Sequence, residues 1–235
     1  MWGPQLKSFA REHRVIAPDL PGFGQARYES DVVDFRGTIR DAMDAAGMER
    51  AALVGTSFGG MISLDLTLET PERVDSLVLV GAGIDDHDWS DEMEELDKLE
   101  MAAYERGDLD AAAEAMVRGW VAGPRRELDA VPPDVRNLVL EMQRNAYELQ
   151  QGHDDVRGKR LDPPASQRLG EIRVPTLVLT GEEDFDDIKT IGDRLAAEIP
   201  GAERATMAFT AHLPNLERPD EFDRIVLGFL AKHRV

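Results

Sequence analysis

Gly55-Thr56-Ser57-Phe58-Gly59 sets one serine between two glycines at G-x-S-x-G spacing. The apolar run Ala51-Ala52-Leu53-Val54 precedes it; Met61, Ile62, Leu64, Leu66 and Leu68 follow, ahead of Pro71. That pattern predicts a short buried strand, a sharp turn carrying Ser57, and a helix from Ser57 to about Glu69. A serine held at a strained turn stands clear of the backbone. Side chains two residues before and after it would collide, which is the expected reason for both glycines. The helix N-terminus at Ser57 offers free N–H groups and a dipole that favour a developing negative charge. This is the setting a nucleophilic hydroxyl needs.

Two further chemical side chains stand in equivalent places. Pro175 to Thr180 reads as a strand and leads into Gly181-Glu182-Glu183-Asp184. Arg204 to Ala208 is a weaker strand and leads into Thr210-Ala211-His212-Leu213. Ser57, Asp184 and His212 therefore each follow a predicted strand directly. Helical stretches separate the strands, so the sheet is expected to be mostly parallel and covered on both faces. Ligands of such sheets bind beyond the strands' carboxyl ends, so all three residues should project at that one edge.

The remaining elements follow from periodicity. Trp2, Leu6 and Phe9 fall at helical spacing, and Val15-Ile16-Ala17 predicts a strand ended by Pro18. The loop Asp19-Leu20-Pro21-Gly22-Phe23-Gly24 contains G-x-G, but it lacks a third glycine and Pro21 interrupts it, which argues against a nucleotide site. Residues 30–46 read as an amphipathic helix capped by Gly47, and Ser76 to Val80 as another buried strand. From Ile84 to about Ser166 there is no clear strand; helical patterns cover 90–105, 108–119 and 134–150, broken at Gly107, Gly123-Pro124 and Pro132-Pro133. Trp89, Trp120, Met142 and Tyr147 could line a pocket there, with core packing the expected fate. His87 and His153 have no evident partner and read as surface residues. Helices are expected over 187–198 and from Pro219 to about Lys232.

The chain's 235 residues suffice for one sizeable core with a small insertion. A net charge of −19 argues against nucleic acid or an anionic membrane as a partner. With no cysteine, there is no disulfide, thiol nucleophile or Cys-ligated zinc. No transmembrane run, signal peptide or repeat is apparent, so a cytoplasmic location is expected. No cofactor or metal is expected.

Taken together these motifs resemble the α/β-hydrolase superfamily, near its small esterases and enol-lactonases. The order Ser57, Asp184, His212 is that family's order. Asp19 to Gly24 resembles the loop after the family's fourth strand, Gly181-x-x-Asp184 its acid turn, and Ala211-His212-x-x-x-x-Glu217-x-Pro219 its histidine loop. The resemblance covers nearly the whole chain, more loosely over 84–166. It implies an α/β-hydrolase core at 1–83 and 167–235, with a helical cap inserted at 84–166. Phe209-Thr210 stands where the family commonly has glycines, and altered loop packing is expected there.

The resemblance also implies roles. Ser57 would attack, His212 would take and return its proton, and Asp184 would hold the imidazole tautomer. The backbone N–H of Phe58 would be one oxyanion donor. The acid could instead be one of the neighbouring Glu182, Glu183, Asp186 or Asp187. The family's first three strands, and the His-Gly loop that supplies a second oxyanion donor, would precede the first helix, whereas this chain opens inside or just before it. A truncated gene model or a start at an internal Met is therefore expected, leaving a poorly stable or inactive chain. The expected activity is hydrolysis of a small carboxylic ester or lactone through an acyl-enzyme. The alternatives are carbon–carbon bond hydrolysis, aminopeptidase or perhydrolase action, or a non-catalytic ligand-binding protein.

Overall fold

The computed structural model describes residues 1–233. In chain order its elements are α1 (Gly3–Phe9), β1 (Val32–Val33), α2 (Phe35–Ala45), β2 (Ala51–Thr56), α3 (Phe58–Glu69), β3 (Val74–Val80), α4 (Asp91–Glu105), α5 (Leu109–Met116), α6 (Pro133–Gln150), β4 (Arg157–Gly158), β5 (Thr176–Gly181), α7 (Asp186–Glu198), β6 (Glu203–Met207), α8 (Pro214–Glu217) and α9 (Pro219–Lys232). The main sheet runs β2-β3-β5-β6 with every neighbouring pair parallel.

The period of two along β3 explains its continuous apolar run. Leu77 and Leu79 enter a core with Leu64 and Leu66 of α3 and Ile188, Ile191 and Leu195 of α7. Val78 and Val80 enter a second core with Phe9 of α1 and Phe222, Val226 and Phe229 of α9. Both faces are covered, so the strand residues are mostly apolar, with small hydroxyls such as Ser76, Thr176 and Thr180 buried among them. The fold is α/β, a parallel sheet flanked by helices.

One expectation fails for want of a pairing partner and another gives way to a helix cap. Residues 15–17 form no strand. Val15 packs on one core and Ile16 on the other, as alternate strand residues would. Yet among the described residues no segment gives them a ladder, and none pairs with the outer edge of β2. The helix expected over 30–46 begins only at Phe35, because Asp34 caps it by accepting the N–H of Gly37. Val32–Val33 instead pairs in parallel with Arg157–Gly158, a two-residue strand inside the stretch read as strand-free. In α1 the polar Gln5 is buried and Leu6 is exposed.

Between β3 and β5 the chain forms α4, α5, a π-helical turn at Val117–Ala122, and α6. Val117, Val121, Val135 and Val139 of this helical segment pack on Leu213 and Leu216. The segment thus shares an apolar core with the residues that follow His212. Among the described residues no helix is long and apolar enough to cross a membrane.

Candidate active site

Ser57 sits where β2 turns into α3, with φ +52° and ψ −119°. A non-glycine residue pays about 1–3 kcal/mol for such a backbone, so the surroundings must enforce it. They do so through hydrogen bonds from Ser57 N–H to the Val80 carbonyl (2.9 Å) and from Met61 N–H to the Ser57 carbonyl (3.1 Å). The expectation about the flanking glycines holds on one side only. A Cβ on Gly55 would lie 2.4 Å from the Gly59 carbonyl oxygen, whereas a Cβ on Gly59 would meet nothing within 4 Å. Phe58 opens α3, so its N–H lies outside the helix's own hydrogen bonds. Its ring stands against Phe35 and Phe23.

Asp184 and His212 meet. Oδ2 of Asp184 lies 2.8 Å from Nδ1 of His212, and both side chains are buried. The other carboxylate oxygen accepts the N–H of Phe185 at 2.9 Å, which fixes the carboxylate's plane. The two loops are joined by backbone hydrogen bonds from Glu182 N–H to Met207 O and from Glu183 N–H to Thr210 O, both 2.9 Å. Gly181 permits that approach: a Cβ there would stand 2.1 Å from the Ala211 carbonyl oxygen. Of the neighbouring acids, Asp186 is exposed and paired with Arg125 and Lys189. Asp187 turns the other way, to His87 and Ser90. Glu182 reaches the N–H of Phe209.

The pair lies beside the serine turn. A Cβ on Gly81 would be 3.0 Å from His212 Nδ1 and 3.5 Å from Asp184 Oδ2. Gly81 directly follows Val80, the residue that binds Ser57 N–H. The expected hydrogen bond from Ser57 to the imidazole is not made: Nε2 of His212 is buried and has no hydrogen-bond partner. Trp120 of the π-helical turn covers the imidazole, ring centres 4.3 Å apart, and its carbonyl accepts the His212 N–H at 3.2 Å. Local sequence gave no sign of that contact.

Other expectations change. His87 is half-buried, 2.9 Å from Asp187 Oδ1, and packs edge-on against Trp89. Its acid partner lies 100 residues away, out of reach of local patterning. Burial opposes the charge of Asp187, but hydrogen bonds from Ser90 and His87 outweigh it and hold the carboxyl below its ordinary range. His153 is exposed, with its ring against Tyr28. Phe209 adopts φ +59° and is 71% exposed, so the departure from glycine leaves a strained backbone rather than new packing.

A cavity of about 140 Å³ opens beside Phe58, lined by Phe35, Arg36, Met61, Asp65 and Arg160 among others. A larger depression, about 460 Å³, lies between Asp44, Met48 and Arg73 at the amino-terminal end of β2, away from Ser57. Among the described residues no group of three or more His, Cys, Asp or Glu could hold a metal ion.

Comparison with known proteins shows the family. The family described as alpha/beta hydrolase fold matches residues 1–219. The 2-hydroxy-6-oxo-6-phenylhexa-2,4-dienoate hydrolase of Burkholderia cepacia is 28% identical over 241 residues, covering 94% of this chain and 78% of its own. A hydrolase of Pseudomonas aeruginosa superposes with TM-score 0.77 at 28% identity, over 98% of this chain and 84% of that one. Est816, described as an N-acyl homoserine lactone degrading enzyme, superposes with TM-score 0.72 at 25% identity, over 97% and 87%. The chain belongs to the α/β hydrolase fold family and is an enzyme of the hydrolase class.

Proposed function

We propose that the chain is a serine hydrolase that cleaves a small carboxylic ester or lactone through an acyl-enzyme on Ser57. The observation that carries this reading is the buried Asp184–His212 contact of 2.8 Å, set beside the serine turn with Nε2 unpartnered. Asp184 fixes the tautomer that carries the proton on Nδ1, leaving Nε2 as a base. In the first half-reaction Nε2 takes the Ser57 hydroxyl proton while Oγ bonds to the acyl carbon. The imidazolium then gives that proton to the leaving alkoxide as the acyl–oxygen bond breaks. In the second, water attacks the acyl-enzyme, its proton passes to Nε2, and Ser57 regains it on release of the acid. The N–H of Phe58 stabilises the oxyanion in both. The contact between Oγ and Nε2 forms with substrate, since such contacts are often loose without it. Residues 84–166 act as the cap that walls the site, with Trp120 against the imidazole.

The test is covalent labelling. A fluorophosphonate should add one adduct on Ser57, and p-nitrophenyl acetate, butyrate and octanoate should be turned over at rates that report the acyl pocket's size. A wild-type protein that neither labels nor hydrolyses any of the three would defeat the reading. A second reading, hydrolysis of a carbon–carbon bond beside a ketone, is favoured by the Burkholderia cepacia relative, whose named substrate contains no ester. It predicts turnover of a vinylogous oxo-acid and weak turnover of esters.

A further inference from the structure

One side chain between β3 and β5 makes four hydrogen bonds that tie the histidine loop to that segment. Arg126 is largely buried and directs all three guanidinium nitrogens into backbone and carboxylate oxygens. Nε donates to the Ala122 carbonyl at 2.7 Å and Nη1 to the Phe209 carbonyl at 2.8 Å. Nη2 donates to the Val121 carbonyl at 2.9 Å and to Glu217 Oε2 at 2.8 Å. The other oxygen of Glu217 accepts the N–H of Ala211 at 2.7 Å, one residue before His212. Next door, Arg125 donates to the Asp184 carbonyl at 3.0 Å. The backbone of the histidine loop is therefore gripped at Phe209 and Ala211, and the grip originates in that segment.

We infer that Arg126 is a positioning residue: through Glu217 and the backbone of residues 209–211 it sets the orientation of the His212 ring toward Asp184 and Ser57. This rests on the proposed reading of His212 as the base. The physical case is one of geometry. A planar fork can satisfy four oxygens in fixed directions, which an ammonium cannot. Glu217 is buried deeply enough that desolvation pushes its carboxyl up, against the pull of the Ala211 N–H and Arg126. Without Arg126, Glu217 would face a buried charge with no cation and would release Ala211 N–H on protonation or rotation. The imidazole would then be free to swing by the fraction of an ångström that matters for proton transfer.

The test compares Arg126→Met, Arg126→Lys and Glu217→Gln with wild type in the full chain. The first readout is the proton NMR signal of the His212 Nδ1–H bonded to Asp184, assigned by its loss in His212→Gln. It should be sharp in wild type and broadened or lost in Arg126→Met and Arg126→Lys, while circular dichroism reports folded protein. Glu217→Gln, which keeps an acceptor for Ala211 N–H, should retain more of the signal. The second readout is ester hydrolysis, in which kcat should fall about 10- to 100-fold with KM changed little. An unaltered signal in a folded Arg126 variant overturns the inference, whatever the change in melting temperature. The signal is independent of turnover. If the wild type hydrolyses no ester yet the variants lose the signal, the positioning role stands and the esterase reading falls.

Discussion

Oδ2 of Asp184 lies 2.8 Å from Nδ1 of His212, in a place neither side chain shares with solvent. A buried imidazole bonded this way is locked in one tautomer. Asp184→Asn should therefore cut ester turnover by about 10³- to 10⁴-fold through the wrong tautomer, and Ser57→Ala should abolish fluorophosphonate labelling. Asp186→Asn should stay within about threefold of wild type, because that carboxylate is exposed on Arg125 and Lys189. Steady-state kinetics on the three variants decides it; a large loss in Asp186→Asn alone would move the acid to Asp186.

The two glycines of the serine turn should separate cleanly. Gly55→Ala forces a Cβ to 2.4 Å from the Gly59 carbonyl and should cost at least about 2 kcal/mol, read as a lowered urea midpoint. Gly59→Ala meets no neighbour and lies in the first turn of α3, so it should be neutral or stabilising by up to about 1 kcal/mol. Equal losses at both positions would contradict the geometry.

What the sequence revealed, and what it hid, divides by range. The buried strands declare themselves as apolar runs, and the serine turn by the strand before it and the helix after it. Contacts at long separation leave no local trace. Arg126 and Glu217 are 91 residues apart, and His87 and Asp187 are 100 apart. Nothing near Arg126, His87 or Asp187 distinguishes it from a solvated charge, and the motif that holds Glu217 does not name its partner. Residues 15–17 show the converse failure. Val15 and Ile16 carry strand-like alternation, but a strand is a paired object, and the pairing segment must exist elsewhere in the chain. Gly59 shows that a spacing rule can hold in pattern without the steric cause assigned to it.

Phe209 offers a test of strain without packing. At φ +59° its Cβ crowds the backbone, and the ring is 71% exposed. Phe209→Gly removes the crowding at the cost of some unfolded-state entropy, for an expected net gain of about 0.5–1 kcal/mol in thermal or urea denaturation. A loss above about 1 kcal/mol would mean that the ring makes stabilising contacts.

Asp65 on α3 should give the enzyme a measurable pH dependence of stability. Burial pushes its carboxyl up to about 6; Arg36 pulls the other way, and Asp85 adds repulsion. Its Oδ2 lies 3.3 Å from Nη1 of the buried Arg36, which also holds Glu69 at 3.2 Å. An unfolded aspartate titrates near ~3.9. Between about pH 4 and 6 the folded chain thus holds a proton that the unfolded chain has released. The stability contributed by this group is full below about pH 4 and is lost as pH rises through 6. Asp65→Asn keeps an acceptor for Arg36, removes the charge and leaves Glu69 to balance the guanidinium. Its stability relative to wild type should therefore improve by about 1–3 kcal/mol between pH 4 and pH 8, the larger advantage at pH 8. Urea midpoints of both proteins at the two pH values measure the change directly. An identical difference at pH 4 and pH 8 would place the Asp65 carboxyl at its ordinary value and return the burial argument to Arg36 alone.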